Sequence, residues 1–424
     1  MGGCVFKTAY TLYASTCIGR CVHNRCLHMF KRHYGQTAVH SRLTPFLFND
    51  LLILPVPFLV NNYAYVVADL QANNFVFVDV GDADILKRLG VRPDAILTTH
   101  RHWDHSGGNK AMREAYPAIK IYGGEMDNVP DHTHAVRDGD VLTFGRLKFT
   151  AVWTPGHTRG HIVWRLHGDV FHTTDSVFTG DHLMLACCGA PFEGSVETMV
   201  TSLELMKTLP EDTWVWPGHE MGLGGLEMAA FVEPKNRAVL AKLVWVIRRR
   251  EEMRCTCPST IGEEKRYNPF LRTGEESLQT ALGLRQQLSE SILAEKPLMI
   301  NALCFDWILQ KNGDLLRLKK EIRAKEKKVN SDTNANTAAL APPATATAPP
   351  AATAPPAASA TTAAAAPAST APTAASAVTA LLEEDLRIRR SVSRFSSDIL
   401  LTREQHETLR AAETAASSAG KSRV

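Results

Sequence analysis

The chain has 424 residues, with 47 Lys and Arg against 44 Asp and Glu, a net charge of +3 with His neutral. That near-balance gives no electrostatic case for a nucleic-acid binder, which would normally show a basic face. Hydrophobic residues at 45% and charged residues at 21% are those of an ordinary globular protein. Nine cysteines without regular spacing, in a chain too long to need staples, read as free thiols in a reducing compartment.

The first 44 residues carry Lys7, Arg20, Arg25, Lys31, Arg32 and Arg42, and no acidic residue precedes Asp50. Phe6, Tyr10, Tyr13, Cys17 and Cys21 fall on one face of a helix. A basic amphipathic start of this kind reads as a mitochondrial transit segment or a membrane-surface anchor, with a cytoplasmic location as the alternative. No apolar run is long enough to span a bilayer, and the best, from Leu51 to Val60, is interrupted by Pro55 and Pro57.

From Leu51 the pattern turns into short β-rich runs. Tyr63 to Ala68 and Phe75 to Val78 flank an Asn73-Asn74 turn and read as a hairpin. Asp82 can cap a helix running to Leu89, and Ala95 to Thr99 is the next strand. Further strands are predicted at 119–122, 147–153, 162–166, 177–179 and 213–216, with a helix over 196–209. The irregular alternation predicts two sheets covered by helices. After Gly218 the chain reads as mostly helical, with 233–250 and 276–293 as helices. From Asp332 to Glu383 it is mostly Ala, Thr and Pro with no charge in between, a composition that cannot build a core. The expected organisation is a leader (1–44), a metal-site domain (45–219), a helical domain (220–329), an Ala/Pro/Thr-rich linker (330–382) and a charged tail (383–424).

The most informative segment follows the strand at Ala95. His100-Arg101-His102-Trp103-Asp104-His105 packs four candidate ligands into six residues. His100 and His102 lie two apart and point the same way. Asp104 and His105, on a loop entering a helix after Gly107-Gly108, can address a second ion. His157, Asp181 and His219 each follow another predicted strand. Five imidazoles and two carboxylates suit a borderline metal such as zinc, and one shared Asp with one shared hydroxide completes two shells. Such a pair makes hydroxide near neutral pH, with Asp104 placed to orient it and take its proton. A thioester suits this chemistry, because a thiol leaving group has a pKa of about 8.5 and needs little protonation.

The series His100-x-His102-x-Asp104-His105, His157, Asp181, His219 resembles the metallo-β-lactamase superfamily. Thr154-Pro155-Gly156-His157-Thr158, Cys188-Gly189, Gly218-His219-Glu220 and Tyr267-Asn268-Pro269-Phe270-Leu271-Arg272 resemble its glyoxalase II (hydroxyacylglutathione hydrolase) branch. The resemblance covers about residues 45 to 320 and implies an α/β fold, an αββα sandwich with a smaller C-terminal helical domain. It implies that His100, His102 and His157 hold one metal, that Asp104, His105 and His219 hold the other, and that Asp181 bridges them. The implied cofactor is two Zn(II), with iron or a mixed iron/zinc pair as alternatives. Asp79 resembles a strand-end carboxylate bracing the site, and His161 resembles a structural His. The implied substrate is a small-molecule thioester such as a glutathione conjugate, faced by Phe192, Met221 and Arg272.

The sequence departs from the branch where glutathione is held. Ala190 and Phe192 stand where a Lys and a Tyr are usual, and Met221 where a second Tyr is usual. Arg317 to Lys320 and Leu382 to Arg390 are both available as the family's closing basic cluster. The readings that compete with a zinc thioester hydrolase are an iron persulfide dioxygenase of the same fold and a non-catalytic interaction protein on that fold. His132-x-His134 lacks partners at ligand spacing and reads as surface. Cys255-x-Cys257 reads as free thiols in a loop.

Overall fold

The computed structural model describes residues 40–287 continuously, and beyond them residues 21, 25, 298–299, 301–308, 311, 317 and 320. The leader, the Ala/Pro/Thr-rich stretch, the charged tail and most of the expected helix beyond Gln287 lie outside the described residues. Both candidate basic clusters lie there too, save for residues 317 and 320. Two units are distinguished, and both sheets belong to the first.

Seven strands form the first sheet in chain order. They are β1 (Phe46–Phe48), β2 (Leu51–Phe58), β3 (Asn62–Asp69), β4 (Asn74–Val78), β5 (Ala95–Leu97), β6 (Lys120–Gly124) and β7 (His134–Val136). Strands β1 to β4 are antiparallel, and β4 to β7 are parallel. The second sheet holds β8 (Val141–Phe144), β9 (Leu147–Trp153), β10 (Ile162–Leu166), β11 (Ser176–Gly180), β12 (Trp214–Pro217) and β13 (Ser259–Thr260), with β11 and β12 parallel.

Period-two alternation divides the first sheet between two cores. Leu51 and Ile53 of β2 and Tyr63, Tyr65 and Val67 of β3 face Phe149, Trp164, Phe178 and Trp216 of the second sheet. Their neighbours Leu52, Leu54, Ala64, Val66 and Phe77 face outward onto Leu86 and Met112. Those two residues sit on α1 (Ala83–Lys87) and α3 (Asn109–Ala115), either side of the single turn α2 (Trp103–Ser106). Sheet against sheet with helices outside is the expected sandwich. Asp82 caps α1, accepting from Asp84 N, and Asn73 turns the β3–β4 hairpin at φ 57°.

The proline-interrupted run from Leu51 is a buried strand. β1 pairs only with Leu51 to Ile53, so Pro55 and Pro57 lie where β2 has a single partner, β3. A residue without an N–H is tolerated at such an edge. Strands β1, β7, β8 and β13, which the sequence pattern does not mark, are the edge strands of the two sheets.

After α4 (Val196–Lys207) and β12, the chain forms α5 (Gly222–Val232), α6 (Arg237–Glu251), α7 (Ile261–Tyr267) and α8 (Glu276–Ala281). Leu226, Ala229, Val239, Val246 and Tyr267 pack on Leu185 and Ala186, just beyond the β11 end. The buried Glu264 anchors that junction. It accepts from Ala186 N (2.9 Å), Ser259 Oγ (2.6 Å), Tyr267 Oη (2.8 Å) and Asn268 Nδ2 (2.9 Å). Asn268 Nδ2 also donates to Met184 O (3.2 Å) and Cys187 O (3.1 Å), so the helical region braces the loop that follows Asp181. Cys255 and Cys257 are free but buried in the core between the sheets, and do not lie in an open loop. Among the described residues no helix is long and apolar enough to cross a membrane.

Candidate metal centre

Every candidate ligand lies beyond the C-terminal end of a strand. β4 and β5 are parallel, which puts Asp79 and His100 at one end of the first sheet. β11 and β12 are parallel, which puts Asp181 and His219 at one end of the second. His157 follows β9. Thr99 O accepts from Ile162 N (2.8 Å), tying the two sheets together beside the site.

Trp103-Asp104-His105-Ser106 forms a helical turn directly after His102, earlier than the expected loop. Ser106 Oγ donates back to Arg101 O (2.9 Å) and His102 O (3.0 Å), which closes the turn. Glycines make room for it. A Cβ on Gly81 would strike the Asp104 carbonyl, and one on Gly218 would lie 2.7 Å from His105 Cε1 and 2.8 Å from Asp181 Oδ1.

Seven donors converge in two groups, His100, His102, His157 and Asp181 in one and Asp104, His105 and His219 in the other. In the first, His100 Nε2 lies 2.8 Å from His102 Nδ1, and His102 Nδ1 lies 3.0 Å from His157 Nε2. Asp181 Oδ2 lies 3.2 Å from His157 Nε2 and 4.0 Å from His100 Nε2. Asp181 turns its other oxygen to the second group, with Oδ1 3.2 Å from His105 Nε2 and 3.1 Å from His219 Nε2. Asp104 Oδ2 lies 3.5 Å from His219 Nε2 and 3.7 Å from His105 Nε2. Tetrahedral zinc with bonds of about 2.0–2.1 Å sets its donors about 3.4 Å apart, and these spacings bracket that value.

The hydrogen bonds fix which ring nitrogens carry protons. His157 Nδ1–H donates to Ala190 O (2.9 Å), His105 Nδ1–H to Asp79 Oδ2 (2.8 Å) and His219 Nδ1–H to Asn61 Oδ1 (3.2 Å). Thr99 Oγ1 donates to Asp79 Oδ2 (2.8 Å) and so accepts from His100 Nδ1–H (3.0 Å). Each Nε2 therefore turns a lone pair inward. His105 Nε2 and His219 Nε2 face each other at 3.2 Å, and Asp181 Oδ1 is buried without a hydrogen-bond donor. Converging imidazole nitrogens beside an orphaned carboxylate oxygen fit a cation.

The electrostatics show where positive charge is wanted, since without a metal the carboxylates draw a proton onto two of these rings. Burial pushes His105 down, but Asp181, Asp104 and Asp79 outweigh it and hold its pKa well above the ordinary imidazole value. His219 is raised in the same way against burial, chiefly by Asp181. Burial and the neighbouring imidazoles hold His100 and His102 well below it. Burial would raise Asp104, yet His105 and His219 bring it down to about 2, so it is a carboxylate. The negative charge is thus concentrated around the second group.

Asp79 is where the sequence places it, held at φ 54° and accepting from Thr99 N (2.7 Å) as well as His105. Phe192 lies over the first group, its ring 5.2 Å from His157 and 6.3 Å from His102. Met221 is 37% exposed beside the second group, its sulfur 3.3 Å from Asn61 Nδ2. Arg272 donates through its guanidinium to both carboxylate oxygens of the buried Glu233, at 3.0 and 3.1 Å, within the helical region. His161 stands outside both groups, stacked on His100 at 5.1 Å, with Nδ1 on Thr154 Oγ1 (2.9 Å). His132 and His134 are likewise outside them.

Three supporting residues carry no signal in the sequence. Asn62 Nδ2 donates to Asp104 Oδ2 (3.0 Å) and Asn61 holds His219. Asp127 accepts from Arg101 N (2.5 Å) and Gly160 N (3.2 Å), joining the two loops of the first group. Burial lifts its pKa to about 6.

Comparison with known proteins accords with this geometry. The family model of the metallo-beta-lactamase superfamily matches residues 76–219, and that of the hydroxyacylglutathione hydrolase C-terminus matches 220–296. The chain is 39% identical over 242 residues to a cytoplasmic hydroxyacylglutathione hydrolase of Arabidopsis thaliana, covering 56% of this chain and 93% of that protein. It is 35% identical over 266 residues to a hydroxyacylglutathione hydrolase-like protein of Gallus gallus, covering 59% and 94%. Among solved structures, ETHE1 from Myxococcus xanthus is similar at 23% identity and a TM-score of 0.38, covering 62% of this chain and 98% of its own. The chain, with its donors for a pair of divalent metals, belongs to the hydroxyacylglutathione hydrolase family of the metallo-β-lactamase superfamily.

Proposed function

We propose that the protein is a zinc-dependent thioester hydrolase of the glyoxalase II type. The observation that carries this reading is the split of Asp181, one oxygen to each of two donor groups made of lone pairs. His100, His102 and His157 would hold one zinc, Asp104, His105 and His219 the second, and Asp181 both. When bound, such a pair lowers the pKa of water and polarises a carbonyl.

The remaining work falls to the chain. Asp104 is ionised, and its side chain is 31% exposed at the second group, so it can orient the attacking water and take its proton. Asp79 and Ala190 O hold the imidazoles in the tautomer that presents Nε2. Phe192 and Met221 face the substrate with an aromatic ring and a thioether. With Ala190 they put neither a cation nor a phenol at these three positions, where the branch uses them to hold glutathione. Such a contact is worth about 1.5–3 kcal/mol, so we place the protein's preference away from lactoylglutathione and toward thioesters with a less polar thiol part. The second donor group favours this hydrolase over a one-iron dioxygenase, which has no use for it.

The test is hydrolysis of S-lactoylglutathione and of apolar acyl thioesters by the zinc-loaded full chain, beside Asp104→Ala. Turnover of at least one thioester by the parent and not by the variant supports the reading. Equal turnover by both, or none on any thioester with two zinc ions bound, overturns it.

A further inference from the structure

The two donor groups are held in different ways. Around the first, the orienting partners are Ala190 O for His157 and Thr99 Oγ1 for His100. Around the second, two of three donors are held by the tip of one hairpin. Asn61 Oδ1 accepts from His219 Nδ1–H (3.2 Å), and Asn62 Nδ2 donates to Asp104 Oδ2 (3.0 Å). The tip is also locked to the His219 segment by backbone. Tyr63 N donates to Gly218 O (2.8 Å) and Glu220 N to Asn61 O (2.6 Å), which pairs Asn62 with His219.

That register is itself anchored. Glu220 accepts from Tyr63 Oη (2.6 Å), Thr256 N (2.8 Å) and Thr256 Oγ1 (2.5 Å). Asn62 O is 2.9 Å from His40 Nε2, and Asn62 is only 3% exposed. The orientation of each amide is set by the group it meets. Asn61 points its oxygen at an N–H and its Nδ2 at the Met221 sulfur, while Asn62 points its Nδ2 at a carboxylate.

We infer that Asn61 and Asn62 are positioning residues for the second metal alone, one fixing the tautomer of His219 and the other the carboxylate of Asp104. The inference rests on the two-metal reading above. It makes adjacent residues respond oppositely to one isosteric change. Asn61→Asp keeps an oxygen acceptor on His219 Nδ1–H and so preserves the second site. Asn62→Asp puts an acceptor against the Asp104 carboxylate, where a donor is needed, and so weakens it. A residue that only filled the turn would not distinguish them.

The experiment is a Zn²⁺ titration of the metal-stripped full chain against a chromophoric chelator, resolving the two affinities. The parent should bind two ions. Asn62→Asp, and Asn61→Leu as the acceptor-free control, should bind the second at least about 10-fold more weakly, the scale of lost outer-shell contacts, with the first unchanged. Asn61→Asp should bind both as the parent does. Equal behaviour of the two Asp variants, or parallel weakening of both sites in any of them, overturns the inference while leaving the two-metal reading intact. A parent that binds fewer than two ions overturns the two-metal reading and this inference with it.

Discussion

The first and second donor groups are built from the same residue types, yet one is a core feature and the other a rim feature. His100, His102 and His157 are at most 5% exposed, and a backbone carbonyl and a threonine orient two of them. The Asp104 side chain is 31% exposed and that of His219 13%, and side-chain amides of one hairpin hold them. The difference teaches where adaptability sits in such a centre. A partner supplied by backbone, such as Ala190 O, can change only with the fold, while donors held by side-chain amides can be tuned by single substitutions. The charge follows the same division, with carboxylates outweighing burial at His105 and burial with neighbouring imidazoles depressing His100 and His102.

Removing the carboxylate common to both groups should erase the comparison. Asp181→Ala is expected to cost at least about 10²–10³-fold in kcat, the scale for losing one preorganised electrostatic contact, and to lower bound zinc from two toward none by elemental analysis. Retention of two ions would show that Asp181 is not shared.

Next in size is a change that should not discriminate between the groups. Glu264→Ala removes the acceptor of four buried hydrogen bonds at the helical junction. It should cost about 1–3 kcal/mol, the range for leaving a buried hydrogen-bonding group unsatisfied, as a lower urea midpoint at unchanged slope. Both zinc affinities of the folded fraction should stay equal to the parent's. Selective loss of one metal would mean that the helical region supports only one group.

A substrate-side change should sharpen the contrast between the two faces. Restoring cation and phenol near the first group, as Ala190→Lys with Phe192→Tyr, should lower KM for S-lactoylglutathione by about 10- to 100-fold, the equivalent of 1.5–3 kcal/mol of charged hydrogen bonding, with kcat little changed. The smallest effect is kinetic. A weak chelator should strip zinc in two phases, the rim site emptying first, read by a metal-sensitive dye. A single phase would deny that exposure separates the groups.

Much of this was legible in the sequence, because strands of period two and ligands at strand ends leave local marks. β9 and β10 begin and end where alternation and Gly-containing turns place them. The donors from His100 to His219 lie in dense polar segments after apolar runs. What was not legible depends on contacts far apart in sequence. Asn61 and Asn62 meet His219 and Asp104 across 158 and 42 residues, so nothing near them in the sequence marks their role. Arg272 looked available for an anion because Glu233, 39 residues earlier, gives no local sign of pairing with it. Pro55 and Pro57 seemed to break a run, because which part of β2 lacks a second partner is a property of the sheet.

The most direct test of the two-group account is anomalous diffraction at the zinc edge from crystals of the zinc-loaded full chain. The account predicts two peaks flanking the Asp181 carboxylate, one among His100, His102 and His157 and one among Asp104, His105 and His219. A single peak, or two peaks with Asp181 bound to only one, would contradict it.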